Sequence, residues 1–229
     1  MNADQISYKA VFFKIIQMDM ILTFRRNSEF LYPVIFFSMV VSLFPFAIGP
    51  EKALLQQFFP AVIWVTALLA TLLSLESLLK SDFDDGQLEQ YVLTPVPLML
   101  VIVAKLVAHW LASGLPLCIT AYAASMLTGV SAKVSTVILI SLLLGTPGLS
   151  AIGAIGSALT VSIRKNSLLL TLIILPLYIP FLIFGAGAIN ASMQDLDWSG
   201  HIYLLAALSV FIVTLAPIAI TGAVKISLN

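Results

Sequence analysis

Lys80-Ser-Asp-Phe-Asp-Asp-Gly-Gln-Leu-Glu-Gln-Tyr-Val-Leu-Thr-Pro-Val-Pro97 is the one long polar, acidic interruption in a chain that otherwise reads as lipid-soluble. It holds four of the eleven acidic residues: Asp82, Asp84, Asp85 and Glu89. Its pattern predicts a helix rather than a loose loop. Ser81 is placed to cap it, with Asp84 three residues on as the capping-box partner. Acidic residues in the first turn suit the positive end of a helix dipole. Thr94-Pro95-Val96-Pro97 ends the helix, because proline removes a donor and disfavours helix in the residue before it. On a helical wheel Asp82, Asp85 and Glu89 share one side and Phe83, Leu88 and Tyr91 the other. Such a helix needs a surface to dock against.

Outside this stretch the composition decides the class. The chain is 60% hydrophobic and 10% charged, with a mean hydropathy of +1.08. Those values belong to an integral membrane protein, not a soluble domain. The net charge is zero, so no basic field points to nucleic acid. The single cysteine, Cys118, lies within an apolar run, which excludes a disulfide framework and fits a packing role.

Six stretches reach the roughly 20 apolar residues that a hydrocarbon core demands. They run about Phe30–Gly49, Phe58–Leu79, Leu98–Leu127, Val134–Ile163, Leu168–Asn190 and His201–Val224. Residues 1–29 come before them and carry an amphipathic pattern in which Ile6, Val11, Phe12, Ile15, Met18 and Leu22 alternate with Asp4, Lys9, Lys14, Gln17 and Arg25. That mixture is expected at the membrane interface. The competing reading, a first span with snorkelling lysines, would put Lys14 and Asp19 near the bilayer centre. With the N-terminus in the cytoplasm, nine of the eleven Lys and Arg residues fall inside, leaving Lys52 and Lys133 outside. The positive-inside rule therefore places both termini and the acidic stretch in the cytoplasm. The expected fold is all-α: a single transmembrane domain over 1–229, with six spans, an interfacial helix over 1–29 and a cytoplasmic helix within 80–97.

Few residues could carry chemistry. Lys105 and His109 sit four apart on one face of the third span, and Glu76 is expected to meet Lys105 from the second. A polar clamp between helices accounts for all three, although ionisable groups inside a membrane are also candidates for function. His201 opens the last span at the outer surface. Gly148-Leu-Ser150-Ala151, followed by His201, has the order of the serine–histidine dyad of rhomboid-type intramembrane proteases. However, alanine replaces their second glycine, and no glycine pair follows the histidine. There is no G-x-x-x-x-G-K-[ST], so the chain by itself holds no nucleotide in a P-loop. Two distant histidines and one cysteine make no metal-ligand set.

Asp85-Gly-Gln-Leu-Glu89, then Leu93-Thr-Pro95, then Ala104-Lys105-Leu106 resembles the G-x-L-E…P…K pattern of type-2 ABC transporter permeases. In that family a cytoplasmic helix between the second and third spans inserts into a groove of the partner ATPase, an interfacial helix precedes the first span, and two membrane halves usually pair. Leu43-Phe-Pro45-Phe-Ala-Ile-Gly-Pro50-Glu51, Trp64-Val-Thr-Ala-Leu-Leu69, Val103-Ala-Lys105-Leu-Val-Ala-His109-Trp110 and Leu143-Leu-Gly145-Thr-Pro147 are similar to the haem-export permeases of cytochrome c maturation. The resemblance implies a non-catalytic permease subunit in a bacterial inner membrane. It implies as partners a cytoplasmic ATPase, A, membrane components C and D, and through the complex a periplasmic haem chaperone, E. ATP would sit on the partner, and haem would be a transported or pathway ligand. The ATPase contacts implied for this chain are Asp82, Asp85, Gly86, Leu88, Glu89 and Tyr91. The tryptophan-rich outer segment of haem-handling proteins in this pathway has no counterpart here, since Trp64, Trp110 and Trp198 are isolated. The alternatives are an intramembrane hydrolase using Ser150 and His201, and a membrane scaffold that does not move.

Overall fold

The structure is a computed structural model that describes residues 7–25, 28–49, 51–75, 78–160 and 167–227, with the backbone alone at 28–30, 52, 80–81 and 167–173. Every element among the described residues is helical. The first, α1 (Tyr8–Arg25), carries Lys9, Lys14, Asp19 and Arg25 and buries no residue fully. Two spans follow, α2 (Ser28–Ile48) and α3 (Lys52–Leu75). The acidic stretch forms two short helices, α4 (Lys80–Asp84) and α5 (Gln87–Leu93). The third span is continuous from Leu98 to Leu127 but built in three parts: α6 (Leu98–His109), a π-helical turn at Trp110–Gly114, and α7 (Leu115–Leu127). The last three spans are α8 (Ala132–Thr160), α9 (Ser167–Met193) and α10 (Ser199–Ser227).

Among the described residues, six helices are long and apolar enough to cross a membrane: Leu31–Ile48, Ala53–Leu75, Leu98–Leu127, Ala132–Thr160, Ile174–Met193 and Ser199–Ser227. They agree with the six sequence-derived stretches to within a few residues at most ends. The helix α1 is not one of them; it lies along α6. The centre of the bundle is α8, which touches α3, α7, α9 and α10. Its small residues explain why. Gly145, Gly148, Gly153, Ala154, Gly156 and Ala158 are all buried or nearly so, and small side chains let neighbouring helices come close where no hydrophobic effect drives association.

Trp64 shows what that closeness accomplishes. Its side chain is fully buried, and its indole lies in a slot where a Cβ added at Gly185 would fall 2.0 Å from the ring and one at Gly145 2.4 Å. The three helices α3, α8 and α9 meet on this one side chain. Its Nε1 donates to Ser141 Oγ at 3.4 Å. Nearby, Tyr178 donates from its hydroxyl to the Leu149 carbonyl at 2.8 Å. A second, smaller apolar cluster lies at the end of the bundle nearest α5. There Leu75, Leu79, Leu98, Ile102, Ile220 and Val224 gather around Leu88.

The acidic stretch departs from the expected single helix. Gly86 stands at φ +70° between α4 and α5, a left-handed conformation that glycine adopts at little cost, and the chain turns there. The helix begins at Lys80, so Ser81 lies in the first turn and is not its cap. The end is as expected: α5 stops at Leu93, and Thr94 Oγ1 donates back to the Tyr91 carbonyl at 2.8 Å. The break also changes the faces. Asp85 and Glu89 are exposed, but Asp82, which a continuous wheel puts beside them, is buried at 8% exposure.

Candidate functional site

Lys105, about two turns into α6 from Leu98, is 5% exposed. An ammonium so far from water requires partners, and it has them on two other elements. Asp19 of α1 accepts from Nζ through both carboxylate oxygens, at 3.2 and 3.1 Å. Asp82 of α4 brings Oδ2 to 2.7 Å of Nζ. The ring of Tyr91, on α5, has its centroid 5.6 Å from the same ammonium. One cation thus ties α1, the α4–α5 segment and the third span together. Burial pushes the Asp19 carboxyl above its ordinary pKa, Lys105 pulls it down, and neighbouring Asp82 adds a small push upward. The Tyr91 hydroxyl is raised by its partial burial.

One turn deeper, His109 faces α3. Ser74 Oγ donates to the Thr71 carbonyl at 2.7 Å and so stands as an acceptor toward the imidazole. His109 Nε2 lies 3.1 Å from that Oγ and 3.3 Å from the Ser74 carbonyl. A carbonyl only accepts, so Nε2 carries the proton. Ser113, in the π turn, donates to the His109 carbonyl at 2.8 Å. Trp110 Nε1 then donates to Thr146 Oγ1 of α8 at 2.9 Å, and Cys118 Sγ lies 3.6 Å from that hydroxyl. Pro116 lies two residues after the last residue of the π turn, in the first turn of α7. Its missing N–H interrupts the helical ladder, and a π-bulge is one way a helix absorbs such a gap. The result is a line of polar contacts through the third span, from Asp19 and Asp82 to Thr146.

The remaining sequence candidates fall into three groups. Asp85, Gly86 and Glu89 lie at the surface of the α4–α5 segment, while Leu88 is 3% exposed and holds α5 to the bundle. Glu76 lies outside the described residues; among the described residues the acidic partners of Lys105 are Asp19 and Asp82. Ser150 and His201 are not neighbours. Ser150 shares a crevice of about 140 Å³ with Trp110, Pro147, Val213 and Pro217. His201 precedes Val213 by twelve residues on the same helix, or about 18 Å at 1.5 Å per residue. The imidazole of His201 packs instead over Gly187, where an added Cβ would meet Cδ2 at 2.7 Å. A serine–histidine dyad has no geometry here.

Sequence reading missed Asp19 as a partner, and no spacing rule could have found it, since 86 residues separate it from Lys105. The signal available was its type: an acidic residue amid Met18, Met20 and Ile21 that needs a cation.

Among the described residues six apolar spans with α8 at their centre, and with helix α1 and the acidic segment fastened at one end, make this a multi-pass α-helical membrane protein. The chain belongs to the CcmB family, whose model, described as CcmB protein, matches residues 10–227. It is 52% identical over 208 residues to heme exporter protein B of Pseudomonas aeruginosa, covering 91% of this chain and 93% of that one. To heme exporter protein B of Haemophilus influenzae it is 45% identical, over 96% of this chain and 99% of the relative. To that of Escherichia coli K12 it is 43% identical, over 96% and 100%.

Proposed function

We propose that this chain is the membrane permease subunit of an ATP-driven ABC complex serving cytochrome c maturation. It is non-catalytic by itself and lies in the bacterial inner membrane with both termini in the cytoplasm. The names of its relatives support haem export as the process. In this reading ATP hydrolysis on the cytoplasmic ATPase drives haem delivery to the periplasmic chaperone, either by moving haem or by releasing the loaded chaperone. Components C and D complete the assembly around two permease copies.

The observation that carries the reading is the build of the α4–α5 segment. Its outer face offers Asp85 and Glu89 to a partner, while its inner face is held by Leu88 and by Asp82 on Lys105. A segment that carries exposed carboxylates outside and is fastened to a span inside is suited to take a push at its surface and pass it into the third span. The π turn and Pro116, further along that span, are where it would give. A scaffold that never moves has no need of such a linkage.

The test is co-expression with the neighbouring ATPase. Glu89→Arg reverses the charge on the outer face, and Gly86→Pro forbids the positive φ of the turn. Both are expected to insert normally and to lose the ATPase on purification, or to retain it with cytochrome maturation abolished. Wild-type assembly and maturation in both variants would defeat the proposal.

A further inference from the structure

Two carboxylates converge on one ammonium, and they come from elements with different attachments. Asp19 belongs to α1, which lies along α6. Asp82 belongs to the short α4, joined to α5 by the Gly86 turn. A simple buried pair, one lysine with one aspartate, is hard to open, because separation strands an uncompensated charge. Here the count differs. The cluster holds Asp19, Asp82 and Lys105, with the Tyr91 ring beside them and His109 a turn deeper. Among the described residues of the cluster one negative charge is in excess, so the carboxylates repel each other and compete for Nζ. Asp19 meets Nζ with both oxygens and can satisfy it alone, whereas Asp82 uses one.

From this we infer that Asp19 is a positioning residue that makes the α4–α5 attachment reversible: when Asp82 withdraws, Asp19 keeps Lys105 neutralised, and α1 stays fastened while the segment swings off the third span. The inference rests on the coupling reading above, which supplies the pull on α4–α5. Among the three groups the roles are unequal. Lys105 is the shared post, Asp82 the releasable contact and Asp19 the standing one.

A static clamp and an exchanging one predict opposite signs. In a static clamp, removing Asp19 loosens the cluster. In an exchanging one, Asp19→Asn removes the competitor and leaves Lys105 to Asp82 alone, so the segment is held more tightly. The measurement is a distance distribution between spin labels at Gln17→Cys on α1 and Gln90→Cys on α5, both exposed. Cys118, the single native cysteine, is buried and stays unlabelled. The protein is taken with its co-expressed ATPase in lipid nanodiscs, with and without a non-hydrolysable ATP analogue.

Wild type is expected to show a short and a long distance, the long one favoured by the analogue. In Asp19→Asn the long-distance population falls on the order of tenfold, the factor that corresponds to about 1.4 kcal/mol, and ATP turnover of the complex falls with it. Asp19→Glu restores both. A wider distribution in Asp19→Asn, or an unchanged one with the ATPase still bound, would overturn the inference. Failure of the wild-type chain to co-purify with the ATPase would instead defeat the proposed function. The nucleotide-free comparison of Asp19→Asn with wild type would still read the exchange.

Discussion

The two ends of the bundle each carry a lysine–aspartate contact, and the two are not alike. At one end Lys105 lies among Asp19, Asp82 and Tyr91, its side chain 6% exposed and those of the two aspartates 16% and 11%. At the other, Lys133 Nζ meets Asp195 Oδ1 at 2.8 Å, with side-chain exposures of 49% and 87%. The second contact is shorter than either Lys105–Asp19 distance and contributes far less, because water screens both partners and long side chains lose entropy in holding them. Lys133 pulls the Asp195 carboxyl below its ordinary pKa, and little more follows. Distance alone does not separate these contacts, since 2.8 Å falls between the 2.7 Å of Lys105–Asp82 and the 3.1 Å of Lys105–Asp19. Burial, and the number of elements joined, rank them correctly: the first ties three elements together, the second only the start of α8 and the α9–α10 connection.

Replacing the lysines one at a time gives the widest separation. Lys105→Met leaves two part-buried carboxylates facing each other without a cation, a loss of about 3–5 kcal/mol for a broken buried pair. The expected result is release of α1 and the α4–α5 segment, seen as new protease cleavage between residues 8 and 25 and between 80 and 97. Gly185→Leu supplies the contrast. It drives atoms into the Trp64 ring and is expected to lower stability in detergent by about 1–3 kcal/mol or more, without new cleavage in α1. If both variants lose α1 equally, the cluster is no more than part of global stability.

Asp82→Asn follows with a smaller effect. Lys105 keeps Asp19, so α1 is expected to stay protected while the 80–97 segment becomes cleavable at a raised rate. Lys133→Met closes the series. Thermal unfolding and protease resistance are expected to match wild type, because nothing buried depends on that pair. A clear loss of stability there would mean that the outer connections are clamped as firmly as the inner ones.

The spans were legible because composition and length suffice: about 20 apolar residues admit few readings, and the apolar stretch Leu98–Leu127 coincides with the third span at both ends. Lys105 was legible as an anomaly for the same reason. Its partners were not. A helical wheel drawn through Asp82, Asp85 and Glu89 assumes one unbroken helix, and Gly86 breaks it, so Asp82 turns inward while Glu89 stays out. The π turn at Trp110–Gly114 was likewise hidden, though Pro116 marks the place. The slot for Trp64 needs Gly145 and Gly185 at one depth in two helices, and one sequence gives no such register. Asp19 is the sharpest case, since its role exists only once α1 lies against α6.

The most direct test of the central claim uses the same two ends. A photo-crosslinking residue is placed at Glu89 on the α4–α5 segment or at Asp195 beyond α9, in cells producing the complete complex. A crosslink to the partner ATPase from position 89 and none from 195 is the predicted result. No ATPase adduct at 89, or equal yields at the two positions, would contradict the account.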